Sequence, residues 1–234
     1  MAPTPSSSKR SAERGAVRLA LRRRDEACAP DALSWLTTGE RARHDSFGGS
    51  ARRADFTAGR WLLREVLAEI HGGAPEHQTA EIDAEGRTSV PRGHANLSHT
   101  GDWLIAAWAE SPIGVDIESL RARRDVLAIA ERVASPAECA HLASLTGATQ
   151  LEAFYRLWTL REAWLKRRGR GLDLQQMQGL RFEPDEQGDL ACALLPRAHL
   201  MVALDVENLA GAALPSELAS EPLHWQRHGA EPAT

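Results

Sequence analysis

The most constraining feature of this chain is a long amphipathic segment, Leu151 to Arg168, whose apolar stripe contains an acid. At about 100° per residue, Leu151, Phe154, Tyr155, Trp158 and Leu165 share one helical face, and Glu162 falls in its middle. The spacing predicts a helix over 151–168, stopped by Gly169 and Gly171. A carboxylate on an apolar face is costly to bury unless it is paired or bound to a metal. Lys166 follows Glu162 by one turn, the favoured order for a helical ion pair. From these residues alone two readings stay open: a structural pair at the edge of the core, or an acid kept for a cation.

A second segment poses the same choice. In Ile113-Gly114-Val115-Asp116-Ile117-Glu118 the apolar residues alternate with the acids, which predicts a strand. Asp116 and Glu118 then point to one side, about 7 Å apart along the strand. Two carboxylates on one face repel unless a cation lies between them, and oxygen ligands without Cys or His favour magnesium over zinc. The alternative is the solvated face of an edge strand. Trp103 to Ala109 reads as a buried strand, and the turn at Glu110-Ser111-Pro112 predicts a hairpin between the two. Before it, Asn96-Leu97-Ser98-His99 leads into a turn read at Thr100-Gly101-Asp102. Ser98 and His99 fit a turn cap or phosphate binding. A nucleophile would need a partner acid and an oxyanion hole that the sequence does not locate.

The 234 residues suffice for one domain of two lobes or two small domains. Residues 1–15 read as a disordered tail and residues 209–234, rich in Ala, Pro and Glu with an isolated Trp225, as a loose one. Between them, strands are expected at Val17 to Leu21, at 78–83 and within 180–207. Further helices are expected at 40–47, 54–71, 123–133 and 136–145, the last opened by Ser135-Pro136 with Glu138 in its first turn. Cys28, Cys139 and Cys192 are odd in number and far apart, which suits neither a disulfide framework nor a zinc site. No apolar run approaches a membrane span and the N-terminus has no apolar signal region, so a cytoplasmic protein without a membrane partner is expected. The net charge of -4 gives no bulk drive toward nucleic acid. Of 28 basic residues only Lys9 and Lys166 are lysines. Against that arginine bias a single arginine says little and a retained lysine says more.

Taken in order, these segments resemble the Sfp-type 4'-phosphopantetheinyl transferases. Asn96-Leu97-Ser98-His99, Gly114-Val115-Asp116-Ile117-Glu118 and Trp158-Thr159-Leu160-Arg161-Glu162-Ala163-Trp164-Leu165-Lys166 are similar to the family's NxSH, G-[IV]-D-x-E and W-[ST]-x-K-E-[AS]-x-x-K signatures. Ala58 to Arg64 resembles the family's early helix. The resemblance implies an α/β (α+β) fold of two similar lobes forming a pseudo-dimer, here residues 16–111 and 112–208, with the site in the cleft between them. It implies transfer of the phosphopantetheine arm of coenzyme A to a serine of an apo acyl or peptidyl carrier protein, with magnesium held by Asp116, Glu118 and Glu162. By the same match Lys166 touches the phosphates, with Ser98 and His99 on other phosphates of coenzyme A. Arg43 falls at the place of a basic residue for its 3'-phosphate end, Arg87 at the place of the lysine in a G-K-P turn that also binds coenzyme A, and Glu138 matches a family glutamate. Glu162 and Glu138 are the candidate bases, together with a metal-bound water. A monomer is expected. Arg161 replaces the usual lysine before Glu162, and the arginine bias predicts that Arg161→Lys is close to neutral in turnover and coenzyme A affinity.

Two rivals remain at this level. Another magnesium-dependent phosphodiester enzyme would use the same acids, but the acidic net charge and the lack of a basic, aromatic groove disfavour a nuclease. A non-catalytic carrier-binding relative is disfavoured by the intact Asp116, Glu118, Glu162 and Lys166.

Overall fold

A computed structural model describes residues 17–27, 29–122, 125–209 and 213–232. The expected tail at 1–15 and Cys28 lie outside the described residues. The first half runs through β1 (Arg18–Arg23), α1 (Thr38–Ser46), α2 (Ser50–His71), the short strands β2 (Glu81–Ile82) and β3 (Thr88–Ser89), β4 (His94–Thr100) and β5 (Trp103–Ala109). The second half contains β6 (Ile113–Ser119), α3 (Val126–Val133), α4 (Pro136–Ser144), α5 (Gly147–Arg167), α6 (Leu174–Gln178), β7 (Leu180–Pro184), β8 (Leu190–Leu195) and β9 (Leu200–Val206). It closes with β10 (Glu217–Leu218), β11 (Glu221–Pro222) and β12 (Gln226–Pro232).

The two halves follow one plan, an antiparallel sheet with a long helix on its outer face. The first sheet has the order β1-β5-β4, and the second β6-β9-β8-β12-β7. Strand alternation explains the layering. Leu104, Ala106 and Trp108 of β5 pack under Leu62, Leu63, Val66 and Leu67 of α2. Ile105, Ala107 and Ala109 face the other way, into a core shared with Ile113, Val115 and Ile117 of β6 and Val202, Leu204 and Val206 of β9. Met201 and Ala203, the alternate residues of β9, lie under Phe154, Tyr155 and Ala163 of α5. The molecule is thus a helix, two sheets and a helix in layers. Each fully buried leucine or isoleucine in these layers stabilises the fold by roughly 1.5–3 kcal/mol.

The predicted helices form close to where they were expected. Three other expectations are corrected. No hairpin joins β5 to β6: β5 pairs with β1 on one edge and β4 on the other, leaving no edge for β6, which pairs with β9. The Glu110 to Pro112 turn is instead the crossing between the lobes. Thr100 is not a turn residue: it ends β4, paired opposite Trp103. The C-terminal segment is not loose. Leu218 and Leu223 are buried against the shared core with Trp225 beside them, and β12 lies between β7 and β8. Composition suggested a tail because the few apolar residues there are widely spaced. Their burial depends on a partner sheet made far away in the chain.

Candidate active site

The strand β6 turns Ile113, Val115 and Ile117 into the shared core, so Gly114, Asp116 and Glu118 face α5. Gly114 lets the helix come close. A Cβ there would lie 2.1 Å from the Ala163 carbonyl oxygen and 2.5 Å from the Arg167 nitrogen. Both are helix backbone, which cannot swing aside. This approach lowers Glu162 and Lys166 onto the acids of β6.

Lys166 Nζ donates to Asp116 Oδ1 at 2.6 Å and to Ser98 Oγ at 2.8 Å. Ser98 Oγ in turn donates to Asp116 Oδ1 at 2.8 Å. Asp116 is buried, and its other oxygen, Oδ2, is shielded from solvent without a hydrogen-bond partner. Glu118 accepts from Thr100 Oγ1 at 3.0 Å. Burial, reinforced by the Asp116 charge, pushes the Glu118 carboxyl up to about 7. Burial, then Asp116, raises Glu162 as well. The Glu162 to Lys166 pair expected of an isolated helix gives way to one in which the ammonium stands on Asp116 within its own lobe and reaches Ser98 across the cleft.

These groups open on one cavity of about 790 Å³ between the lobes, within the range of small-molecule sites. Asp116, Glu118, Glu162 and Lys166 line it together with Ser98, His99, Arg43 and Arg87. Arg43 stacks over the Phe47 ring at 5.1 Å. Arg87 comes from the β2–β3 turn, where Asp83 Oδ2 accepts from its Nε at 2.6 Å. It packs against Gly169, whose φ of 63° no bulkier residue adopts easily, and where a Cβ would lie 2.6 Å from Arg87 Cδ.

Glu138 does not join them. It is absent from the cavity lining, caps the start of α4 by accepting from Ser135 N at 2.8 Å, and pairs with the buried Arg161. Its matched place in a motif reflects this structural task, and it is withdrawn as a candidate base. Arg161 is also out of the cleft. Its guanidinium donates to Glu138 and to the carbonyls of Leu157, Met177 and Leu180. Sequence reasoning missed Thr100 and Phe47. The first had a signal, since Asn96, Ser98 and Thr100 are polar at alternate positions, but the turn reading stopped the strand short.

The arrangement combines a carboxylate cluster with basic arms, the donor set for a polyanion carrying a divalent cation. Among the described residues no group of three or more His, Cys, Asp or Glu side chains is gathered closely enough to hold an ion. Magnesium nevertheless fits the chemistry here. The free Asp116 Oδ2 and the raised Glu118 and Glu162 are hard oxygen donors short of positive charge.

Comparison with known proteins matches residues 112–214 to the 4'-phosphopantetheinyl transferase superfamily. The chain is 35% identical over 117 residues to the 4'-phosphopantetheinyl transferase psf-1 of Bacillus pumilus, covering 49% of each. It is 39% identical over 116 residues to the 4'-phosphopantetheinyl transferase Sfp of Bacillus subtilis (strain 168), 48% of this chain and 51% of that one. It is 28% identical over 207 residues to the 4'-phosphopantetheinyl transferase HetI of Nostoc sp. (strain PCC 7120), 86% of each. The chain thus spans about half the length of the two Bacillus relatives and most of HetI.

Proposed function

From the premise that residues 112–214 match the 4'-phosphopantetheinyl transferase superfamily, we propose that the chain is such an enzyme and transfers the phosphopantetheine arm of coenzyme A to a serine of an apo carrier protein. The observation that carries this reading is the meeting of Asp116, Glu118, Glu162 and Lys166 in one cleft with the basic side chains of Arg43 and Arg87. A diphosphate ester with a distant third phosphate is the kind of ligand such a cleft recognises. Both walls of the cleft come from one chain, in keeping with a working monomer. Among the described residues no helix is long and apolar enough to cross a membrane, and we place the reaction in the cytoplasm.

The serine oxygen attacks the β-phosphorus of coenzyme A. The bond from that phosphorus to the bridging oxygen breaks, and 3',5'-ADP leaves. Asp116, Glu118 and Glu162 would hold magnesium, which supplies Lewis-acid charge on the pyrophosphate. Lys166 holds one donor on Asp116 and one on Ser98 and lines the cavity, which leaves its third donor for developing negative charge there. Glu162 takes the serine proton. With Glu138 outside the cleft it is the remaining side chain of the two candidates, and burial, then the Asp116 charge, raises its pKa, which makes it a stronger base than an exposed glutamate. Ser98, His99, Arg43 and Arg87 hold the phosphates in position, and this class of reaction asks mainly for positioning and charge.

Incubation with coenzyme A, magnesium and an apo carrier, read by carrier mass, tests the reading. A carrier that gains one phosphopantetheine supports it. An unmodified carrier across fatty-acid, polyketide and peptide-synthetase types refutes it.

A further inference from the structure

The two sheets meet along β4 and β6, which share no backbone ladder. Polar side chains bridge them instead. Asn96 Oδ1 accepts from Val115 N at 3.1 Å. Ser98 Oγ donates to Asp116 at 2.8 Å, and Thr100 Oγ1 to Glu118 Oε2 at 3.0 Å. Ser98 and Asp116 are separated by 18 residues, as are Thr100 and Glu118. The two strands therefore run alongside in the same direction, with each hydroxyl set against one acid. Alternation on both strands keeps these contacts in step.

On the Thr100 rung the direction follows from its partners. Its oxygen also accepts from Ser119 N at 3.2 Å. An amide can only donate, so the single hydroxyl proton is left for the Glu118 carboxylate. The β-branched side chain has restricted χ1 freedom, which limits where the hydroxyl oxygen can stand, and the Ser119 amide then leaves its proton for Glu118. Ser98 makes the equivalent contact to Asp116, but Lys166 shares that site, so Asp116 is held twice. Glu118 has no such second hold among the described hydrogen bonds.

We propose that Thr100 is a positioning residue: its hydroxyl, from the N-terminal lobe, aims Glu118 at the cation site of the C-terminal lobe. The inference rests on the transferase reading, with magnesium as the cation. It makes the first lobe part of the metal site as well as a wall for coenzyme A. The residue acts through Glu118 and touches no substrate.

The test compares Thr100→Val, which keeps the shape and removes the donor, with Thr100→Ser, which keeps the donor. Magnesium binding is followed by calorimetry with coenzyme A present, beside steady-state transfer and thermal melts without metal. The valine variant should bind magnesium about tenfold more weakly, the loss expected for a hydrogen bond to a charged group. Its KM for coenzyme A should stay within about twofold of the parent, since the altered contact is to Glu118. The serine variant should match the parent. In a Glu118→Gln background, Thr100→Val should add no further loss. Unchanged magnesium binding in the valine variant overturns the proposal, and so does a serine variant as weak as valine. Should valine prevent folding, Thr100→Cys replaces it, with a weak donor in the same space. Its magnesium affinity should then fall between serine and the parent on one side and Glu118→Gln on the other, and parental affinity overturns the proposal. Failure of the parent itself to bind magnesium and modify a carrier would instead overturn the transferase reading.

Discussion

Arg161 Nη2 donates to both carboxylate oxygens of Glu138, at 3.0 and 2.8 Å, with the guanidinium wholly buried. The same side chain reaches the Met177 and Leu180 carbonyls at 2.8 Å each. One residue therefore ties α5 to α4, to α6 and to the start of β7. The sequence reading treated it as a lysine substitute beside the site, and the structure makes it a brace of the second lobe.

The first prediction adds a stability cost to the expectation that Arg161→Lys leaves turnover unchanged. A lysine ammonium carries three donors on one atom and cannot span the acceptors that the planar fork meets. Arg161→Lys should lower stability by about 1–3 kcal/mol, while the folded fraction keeps its turnover. Chemical denaturation and single-turnover transfer measure the two separately. Glu138→Gln should behave alike, because Glu138 stands outside the cleft. A large loss of turnover in a folded Glu138→Gln protein would return that residue to the catalytic group.

Metal removal gives the second. Asp116→Ala and Glu162→Ala should abolish transfer while the chain remains folded, and chelation of magnesium should do the same to the parent reversibly. More than a few per cent of residual activity at saturating magnesium, in either variant, would contradict the assignment.

Lys166 tests placement of charge. Its ammonium sits between Ser98 Oγ and Asp116 Oδ1, at 2.8 and 2.6 Å. A guanidinium keeps the charge but is larger and planar. Lys166→Arg should reduce turnover on the order of 10²-fold with an unchanged melt. Turnover close to the parent would leave Lys166 a structural partner.

The approach of α5 to β6 depends on Gly114. The Cβ of Gly114→Ala would meet helix backbone at 2.1 Å, so the helix must move away from the strand. The variant should lose roughly 1–3 kcal/mol or more of stability, and its folded fraction should transfer poorly because Glu162 and Lys166 are lifted from Asp116. Equilibrium denaturation with activity per folded molecule checks both effects.

Asp205 sets a pH dependence. Burial pushes its carboxyl up to about 6, against the pull of Arg167 and Arg168, which pair with it at 3.0 and 2.6 Å. An unfolded aspartate titrates near 3.9. Between about pH 4 and 6 the folded protein therefore binds the extra proton, and this group's contribution to stability falls as pH rises through that window. The difference between parent and Asp205→Asn stability curves should show that slope. A flat difference across the window would contradict it.

Much of the site was legible because it is local. Alternation alone puts Asp116 and Glu118 on one side of a strand, and helical spacing alone puts Glu162 and Lys166 one turn apart. The same periods located the long helices and main strands of both lobes. Other features needed the folded chain. The edges of β5 were taken by β1 and β4, so the expected hairpin to β6 was impossible. β12 found its place between β7 and β8, though its own residues show little pattern. Arg161, read as charged and near the site, is buried because α4, α6 and β7 bring acceptors to it from three directions. Thr100 acquires its task only when a second sheet lays Glu118 beside it. Backbone geometry fixes which residues share a face, and it acts within a few residues. Which surface that face meets depends on edges, acceptors and charges contributed by distant segments, and only the tertiary structure decided those.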